Sequence, residues 1–369
     1  MGRSKVASLI PDTPIGNDRK LKTVLVARFS ALGDVAMTIP VLYSACACYP
    51  DVKFIMVTRS SMTGMFVNPP ANLQVIGVDL KNEYKGVRGM WQLVSRLKAE
   101  HRIDAFADLH DVLRTKMMRA FCRMRGIKAA KINKGRRRKR ALTRSTGKVM
   151  LPLISSRARY REVFFQLGLP IDMTFEGLYG HHGKGDPELF ASFAAPKQPG
   201  EKWVGIAPFA AHSGKIYPLD KMEQVVKALA ERGDCRIFIF GAGGEEKATA
   251  EAWAKAYGPA IVPLAGKKAG FAAELALMSH LDAMVTMDSA NMHLAAITGT
   301  RTVSVWGATH PYCGFKAWHQ RDADMVQLPL SCRPCSVFGQ KKCFRGDMLC
   351  MMGIKPEWIV NKINEILEG

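Results

Sequence analysis

Asp34 is the first residue of the chain whose type and position suit acid–base chemistry. It ends the segment RFSALGD (28–34), which follows a strand-like run, and Gly33 permits a tight turn before the next helix. A carboxylate there can cap the helix, which stabilises it by about 0.5–2 kcal/mol. The same carboxylate can serve as a general base at the mouth of a cleft. Its spacing alone favours the cap, so both interpretations stay open.

Two segments in the second half of the chain carry groups suited to an anionic ligand. The segment MDSANMH (287–293) ends a strand-like run and opens a helix, where free backbone N–H groups favour a phosphate. Lys215 lies on a loop after another strand-like run and can neutralise a leaving phosphate. A helix cap by Asp288 or Ser289 and a surface lysine are the plain structural alternatives. The turn at 241–246 carries two acids that would repel phosphate, so we expect it only to shape the cleft.

The positive charge of the chain is concentrated in one window. The formal net charge is +21, and residues 112–161 hold 18 Lys or Arg and no Asp or Glu. A field this concentrated indicates an anionic partner. Nucleic acid, phospholipid headgroups and phosphorylated glycolipid all qualify.

Residues 112–125 are predicted to form a helix that docks on the protein and presents cations to a membrane or a phosphorylated lipid. Its predicted apolar face comprises Leu113, Met117, Phe121 and Met124, and its predicted basic face comprises Lys116, Arg119 and Arg123. A nucleic-acid-binding protein is the main rival, but the window offers only Phe121 and Tyr160 for stacking on bases. We therefore expect no nucleic-acid partner.

Strand-like apolar runs alternate with helix-like segments of 10–15 residues through both halves of the chain. This alternation predicts parallel sheets covered by helices on both faces. The polar, glycine-rich stretch at 181–187 is typical of a linker. We therefore predict an α/β protein with two Rossmann-like domains facing a cleft. The predicted boundaries are 1–182 for the first domain, 183–355 for the second domain with a Cys-rich segment at 331–353, and 356–369 for a C-terminal helix.

The sequence also limits where the protein works. No uncharged apolar run reaches the roughly 18 residues that span a bilayer. The N-terminal segment lacks an apolar signal region, and Val6 stands where myristoylation needs Ser or Thr. We expect a cytoplasmic protein that is peripheral on an anionic membrane surface.

Four of the nine cysteines cluster near the C-terminus with the spacing C-x₂-C-x₇-C-x₆-C. They are Cys332, Cys335, Cys343 and Cys350. Four thiolates can close a tetrahedral structural zinc site. Reduced thiols packed against the second domain, or disulfides formed on isolation, are the alternatives. Any metal here would be structural.

Taken together and in order, these segments resemble glycosyltransferase family 9, the ADP-heptose:lipopolysaccharide heptosyltransferases. The resemblance covers about residues 22–367. It rests on ARFSALGDVAMTIPVL, on DLHDVLRT (108–115) and on MDSANMHLAAITGTRTVSVWGATHP. This chain has Ala290 and Asn291 where the family has Gly-Pro, and Ala308 where it has Pro.

The resemblance implies a GT-B fold and an inverting, metal-independent transfer with no catalytic cofactor. The donor would be a nucleotide sugar, ADP-heptose, and the acceptor an anionic glycolipid of the lipopolysaccharide inner core. Asp34 would be the general base. The donor would be held by Ser213, Lys215, Asp288, Ser289, Asn291, Met292 and His293. Arg28, Ser30, Arg114, Arg136, Arg137 and Arg138 are predicted to bind the acceptor. The role of Glu274 stays open, and a nucleotide-sugar hydrolase or epimerase on the same fold is the alternative enzyme class.

Overall fold

The structure is a computed structural model that describes residues 21–267 and 269–369. The N-terminal segment with Val6, on which the prediction about signal and lipid modification rests, lies outside the described residues. The first domain is built on a parallel sheet of β1 (Thr23–Ala27), β2 (Lys53–Arg59), β3 (Leu73–Val78), β4 (Ala105–Asp108) and β5 (Lys128–Lys131). Its helices are α1 (Leu32–Ala36), α2 (Ile39–Cys48), α3 (Gly86–His101), α4 (Leu113–Met124), α5 (Arg136–Leu142) and α6 (Ser156–Gln166).

The second domain repeats this plan with a larger sheet. Its strands are β6 (Lys202–Ala207), β7 (Cys235–Ile239), β8 (Ile261–Pro263), β9 (Ala283–Met287), β10 (Thr302–Trp306) and β11 (Met325–Gln327). Its helices are α7 (Leu219–Ala230), α8 (Glu245–Tyr257), α9 (Gly270–His280), α10 (Ala290–Ile297), α11 (Leu349–Met352) and α12 (Pro356–Glu368). Short 3₁₀ turns cover Ser60–Met65, Pro187–Leu189, Ser213–Lys215, Gly258–Ala260, Pro311–Cys313 and Asp322–Asp324.

The strand order of each sheet fixes where a ligand can bind. The first sheet runs β3-β2-β1-β4-β5 and the second β11-β10-β9-β6-β7-β8. All pairs are parallel; Val24 of β1, for example, pairs with Phe54 on one side and Ala105 on the other. In the first sheet, β2 and β3 are added on one side of β1, and β4 and β5 on the other. In the second sheet, β7 and β8 lie on one side of β6, and β9 to β11 on the other. Parallel sheets bind ligands in the crevice beyond the carboxyl ends of the strands at such switch points. The predicted α/β, GT-B fold is confirmed.

The two domains share apolar contacts. The largest buried cluster draws side chains from both sheets, among them Met56 of β2 and Met284 of β9. A backbone hydrogen bond also joins the domains: the Leu178 N–H donates to the Ile297 carbonyl at 2.9 Å. Helix α12 packs against α7 and β9, so it belongs physically to the second domain.

The helix predicted at 112–125 forms as α4, and its faces are only partly as predicted. Met117 and Phe121 pack against the core, and Lys116 and Arg123 are exposed. Leu113 and Met124 are 73% and 72% exposed. The buried stripe is instead Thr115, Met118, Arg119 and Cys122. Arg119 was predicted to present its charge to a membrane, yet it is buried in an ion pair with Asp108. The buried carboxylate at the end of β4 needs a counter-charge, and this need selects the helix face.

The Cys-rich segment is ordered by an arginine. Arg333 is fully buried, and its guanidinium donates to the backbone carbonyls of Trp306, Gly307, Thr309 and Leu328 and to the Gln327 side chain. Buried carbonyls without partners would be costly, so this one side chain ties the segment to the end of β10.

Within the described residues, no helix has both the length and the apolar character that crossing a membrane requires.

Candidate active site

The loops after β1 and β9 meet across the domain boundary. A Cβ placed on Gly33 would lie 3.0 Å from Cδ2 of His293 and 3.3 Å from Cα of Ala290. Glycine is therefore needed for this approach, because a larger residue would push the domains apart. Beside the contact lies a cleft of about 830 Å³, lined by both domains. This volume is in the range of small-molecule sites.

Asp34 lines this cleft from the first domain. Its carboxylate forms an ion pair with Arg28 at 2.7 Å and accepts a longer hydrogen bond from the Ala31 N–H at 3.4 Å. Tyr160 donates its hydroxyl to the Asp34 backbone carbonyl at 3.2 Å. The carboxylate is 22% exposed, so it is held in place yet open to a ligand. The cap and the base interpretations are thus compatible in one geometry.

A buried polar network follows β4 and contacts the loop that carries Asp34. Asp108 accepts hydrogen bonds from the backbone N–H groups of His110 and Asp111 and is paired with Arg119. The ring of His110 lies 3.3 Å from the Ser30 hydroxyl. Burial, together with the nearby positive charge of Arg28, lowers the pKa of His110 to about 3. His110 is therefore a neutral ring that positions the loop.

Lys215 and Asp288 form the charged centre of the second domain's wall. Lys215 Nζ lies 2.9 Å from Asp288 Oδ2, and the two side chains are 14% and 3% exposed. Apart from this ion pair, Oδ2 has no hydrogen-bond partner among the described residues. A hydroxyl of a bound sugar could donate a further hydrogen bond to this buried oxygen.

The start of α10 leaves further polar atoms without partners. Ser289 Oγ and His293 Nδ1 are buried and have no hydrogen-bond partner among the described residues. Burial lowers the pKa of His293 to about 3, so the ring is neutral. The helix N-terminus adds free backbone N–H groups, which favour an anion. The arrangement suits a phosphate group held by neutral donors beside one lysine.

The structure brings most of the predicted donor residues together. Lys215, Asp288, Ser289, Asn291 and His293 line the cleft. Ser213 is exposed and is not among the lining residues, and Met292 is fully buried in the core that joins the domains.

The predicted acceptor residues are scattered. Arg28 is buried with its charge on Asp34, and Ser30 contacts His110. Arg114 and the basic residues of α5 lie on the surface, and none of them lines the cleft. The surface members comprise Arg114, Arg136, Arg137 and Arg138.

Lys139 of α5 packs against two aromatic residues that line the cleft, a contact that sequence reasoning did not predict. Its Nζ lies 5.3 Å from the ring centroids of both Phe315 and Phe338, which line the cleft. Burial, and after it the positive charge of Arg159, lowers the pKa of Lys139 to about 8. The one signal is Leu142, the buried residue of α5, which lies three positions after Lys139 on the same helix face, but a single apolar residue does not define a helical period.

Glu274 of α9 also lines the cleft. Burial raises the pKa of its carboxyl to about 7, so it changes charge near neutral pH. The predicted turn at 241–246 shapes the same wall: Gly241, Ala242 and Glu246 line it, and the Glu246 carboxylate accepts the Ala242 N–H at 2.6 Å.

The four clustered cysteines line one small cavity beside the Arg333 anchor. All four are free thiols. Burial raises the pKa of Cys350 to about 11 and also raises the pKa of Cys335. As placed, these side chains do not fit a metal ion, and the described part of the chain holds no other group of three or more candidate ligands arranged for one. Structural zinc stays a prediction.

Comparison with known proteins agrees with this geometry. Residues 153–343 match the sequence profile of glycosyltransferase family 9 (heptosyltransferase). The chain is 24% identical to lipooligosaccharide heptosyltransferase 2 of Campylobacter jejuni over 92% of this chain and 96% of the relative. Among solved structures, it is similar to the family 9 glycosyl transferase of Veillonella parvula, with a TM-score of 0.72, 17% identity and coverage of 95% and 99% of the two chains. It is also similar to E. coli ADP-heptose LPS heptosyltransferase II, with a TM-score of 0.65, 16% identity and coverage of 94% and 99%.

The two facing sheets and the cleft between them define a glycosyltransferase of the GT-B class. The profile match spans more than half of the chain. The chain belongs to glycosyltransferase family 9, the heptosyltransferases.

Proposed function

We propose that this protein transfers a heptose, with inversion, from ADP-heptose to an anionic glycolipid of the lipopolysaccharide inner core. One observation carries the proposal: Asp34 of one domain and the Lys215–Asp288 pair of the other face the same cleft, across the Gly33–His293 contact. Transfer needs a base on the acceptor side and positive potential on the leaving diphosphate, and these residues supply both.

In the proposed reaction, the Asp34 carboxylate takes the proton of an acceptor hydroxyl. The hydroxyl oxygen attacks the anomeric carbon of the donor from the face opposite the diphosphate, and the bond between that carbon and the leaving oxygen breaks. Arg28, paired with Asp34 at 2.7 Å, orients the carboxylate. The nucleoside diphosphate leaves with the electron pair.

The second domain binds the donor in this proposal. Lys215 and the N-terminus of α10 hold the diphosphate, while the buried Oδ2 of Asp288, which is ion-paired with Lys215, accepts a further hydrogen bond from a hydroxyl of the sugar. Lys139 adds a second cation from the first domain. Two cations and a helix N-terminus can stabilise the leaving group, so we propose that catalysis needs no metal and no cofactor. The E. coli structure to which this chain is similar is described as an ADP-heptose enzyme, which supports this donor.

The acceptor is proposed to be a phosphorylated glycolipid at the cytoplasmic face of the inner membrane. The acid-free window of 18 cations supports an anionic acceptor and a negatively charged membrane surface. Its exposed arginines on α4 and α5 would attract lipid rather than nucleic acid, since aromatic residues for base stacking are few.

A donor screen read by mass spectrometry tests the proposal. The purified protein is incubated with ADP-heptose or other nucleotide sugars and a lipid A–keto sugar acceptor. We expect the acceptor to gain one heptose only with ADP-heptose. Release of free heptose or of an isomerised donor in the absence of acceptor would favour a hydrolase or an epimerase and would contradict the proposal.

A further inference from the structure

A second cavity lies at the domain boundary, beside the cleft. This cavity, the basic pocket, has a volume of about 500 Å³. Its charged and hydroxyl lining consists of Arg140, Thr143, Arg144, Thr146, Lys341 and Lys342, together with Ser145, and its other lining residues are Cys332, Cys335 and Phe344. The first four come from the end of α5 and the loop after it, whereas the lysines come from the Cys-rich segment. Two domains thus contribute cations to one cavity.

The charge of the basic pocket is uncompensated. In the part of the chain that the structure describes, none of Arg140, Arg144, Lys341 and Lys342 forms an ion pair. The nearest acid in the lysine segment is Asp347, which is already paired with Arg345 at 2.8 Å. Four like charges around a cavity repel one another, and a bound anion would remove that cost.

The two walls of the basic pocket are fixed to each other. Lys148, after the α5 loop, donates to the backbone carbonyls of Cys332 at 2.6 Å and Pro334 at 3.1 Å. On the other side, Lys139 sits against Phe338. Arg333 ties the Cys-rich segment to the end of β10 by donating to the Gly307 carbonyl. These contacts hold the two backbone segments that carry the cations in fixed positions relative to each other.

The same two segments line the cleft and the basic pocket. Phe338 lines the cleft and Lys341 the basic pocket, three residues further along. On α5, Lys139 contacts the cleft residues Phe315 and Phe338, while the adjacent Arg140 lines the basic pocket. The cleft and the basic pocket are therefore neighbours that share two segments of the chain.

We propose that the basic pocket binds a phosphate group carried by the acceptor, as a monoester or a diphosphate. Arginine forks, lysine ammonium groups and threonine hydroxyls are the donors that phosphate oxygens prefer. A volume of about 500 Å³ accommodates a phosphorylated sugar. The inference rests on the proposed function, to which it adds the site that binds the phosphate of the acceptor.

Charge reversal of one residue from each wall tests the proposal. The variant is Arg144→Glu with Lys342→Glu. Its control is Lys255→Glu with Lys355→Glu, which makes the same change of net charge at exposed sites outside both cavities. Transfer is measured at low ionic strength, where screening is weakest, with a phosphorylated acceptor and with the same acceptor after phosphatase treatment.

We expect the variant to raise KM for the phosphorylated acceptor by about tenfold or more, with kcat and the donor KM within about twofold of wild type. KM for the dephosphorylated acceptor should not change, and the control should match wild type throughout. Equal effects on both acceptors, or none, would overturn the proposal.

Equilibrium binding separates this proposal from the proposed function. If no transfer to any acceptor occurs, the proposed function fails, and the basic pocket is judged by binding of the phosphorylated acceptor in detergent micelles. Weaker binding to the variant than to the control supports the phosphate assignment of the basic pocket.

Inorganic pyrophosphate is titrated in parallel. Binding of pyrophosphate at this pocket, with acceptor affinity independent of the acceptor's phosphate, would indicate a free-anion site and overturn the acceptor assignment.

Discussion

At the level of single residues, Asp34 combines two tasks that the sequence presented as alternatives. Its backbone neighbours give it the contact of a helix-capping acid, and Arg28 turns the remaining face of the carboxylate toward the cleft. The loop sequence predicts a carboxylate at this position. It does not reveal Arg28 as its partner, because the ion pair depends on how the loop folds back onto β1.

Glu274→Gln tests the charge state of the donor wall. Burial raises the pKa of Glu274 to about 7, so its carboxyl is increasingly charged above that pH. An ionised carboxylate repels the diphosphate, so donor affinity of the wild type should fall as pH rises from 6 to 8. The glutamine stays neutral and should make the affinity nearly constant up to about pH 7, above which Lys139, with a pKa of about 8, begins to lose its charge. Calorimetric titration of ADP-heptose across this range measures the difference.

The same group gives a stability control. An unfolded glutamate releases its proton near pH 4.5, whereas the folded one holds it to about 7. The fold therefore loses stability as pH rises through this window, and Glu274→Gln should remove that loss. A wild-type donor affinity and stability that are both flat from pH 5 to 8 would contradict the assignment.

Lys215→Ala should weaken donor binding and slow transfer, since the leaving diphosphate loses a cation. Removing one charge-assisted contact costs about 1.5–3 kcal/mol, or roughly ten- to a hundredfold in affinity. The variant also leaves Asp288 buried without its counter-charge, which lowers stability. Lys215→Ala with Asp288→Asn is the matched control: it should regain stability in thermal melts but not donor affinity. Recovery of donor affinity in the double variant would show that Lys215 acts only as the partner of Asp288.

At the level of elements, the periodic segments were predictable and the short ones were not. Long helices such as α3 and α8 follow their apolar periodicity, and α12 lies within one residue of its prediction. Helix α5 carries five consecutive basic residues, so no apolar pattern marks it. Helix α4 shows a further limit: its buried face was set by the charge of Asp108, which belongs to another element.

Arg333→Met tests whether the arginine orders the Cys-rich segment. Methionine fills similar space but leaves four backbone carbonyls without their donor. We expect a loss of about 3 kcal/mol or more in the free energy of unfolding, measured by denaturant titration. Cys343→Ser, at the edge of the same segment, should cost less than about 1 kcal/mol if the thiols hold no metal. A larger loss of stability for Cys343→Ser than for Arg333→Met would indicate that the cysteines, and not the arginine, order the segment.

Elemental analysis decides the zinc prediction directly. Protein purified without chelator that carries less than about a tenth of an equivalent of zinc or iron has no structural metal here. About one equivalent, lost on Cys343→Ser, would show that the thiols move from their described positions to bind it. The spacing of the cysteines predicts a metal site. It gives no sign that hydrogen bonds from Arg333 already order the segment, as a metal would.

At the level of the whole molecule, function follows from two sheets whose switch points face each other. The alternation of strands and helices predicted both sheets, and the resemblance of the loop motifs predicted the cleft. The contributions of Lys139 and Phe338 to the cleft could not be predicted, because they depend on how α5 and the Cys-rich segment approach across the boundary. The close contact at Gly33 has the same origin.

Asp34→Asn in a single-turnover transfer assay is the most direct test of the central claim, that this cleft joins a base from one domain to a donor site in the other. Asparagine keeps the shape of the side chain but cannot take a proton. We expect the rate of heptose transfer to fall by roughly 10²–10⁴-fold, while ADP-heptose affinity changes little. The melting temperature should fall, because the buried Arg28 loses its counter-charge. A transfer rate near that of wild type, measured with normal donor binding, would contradict the account.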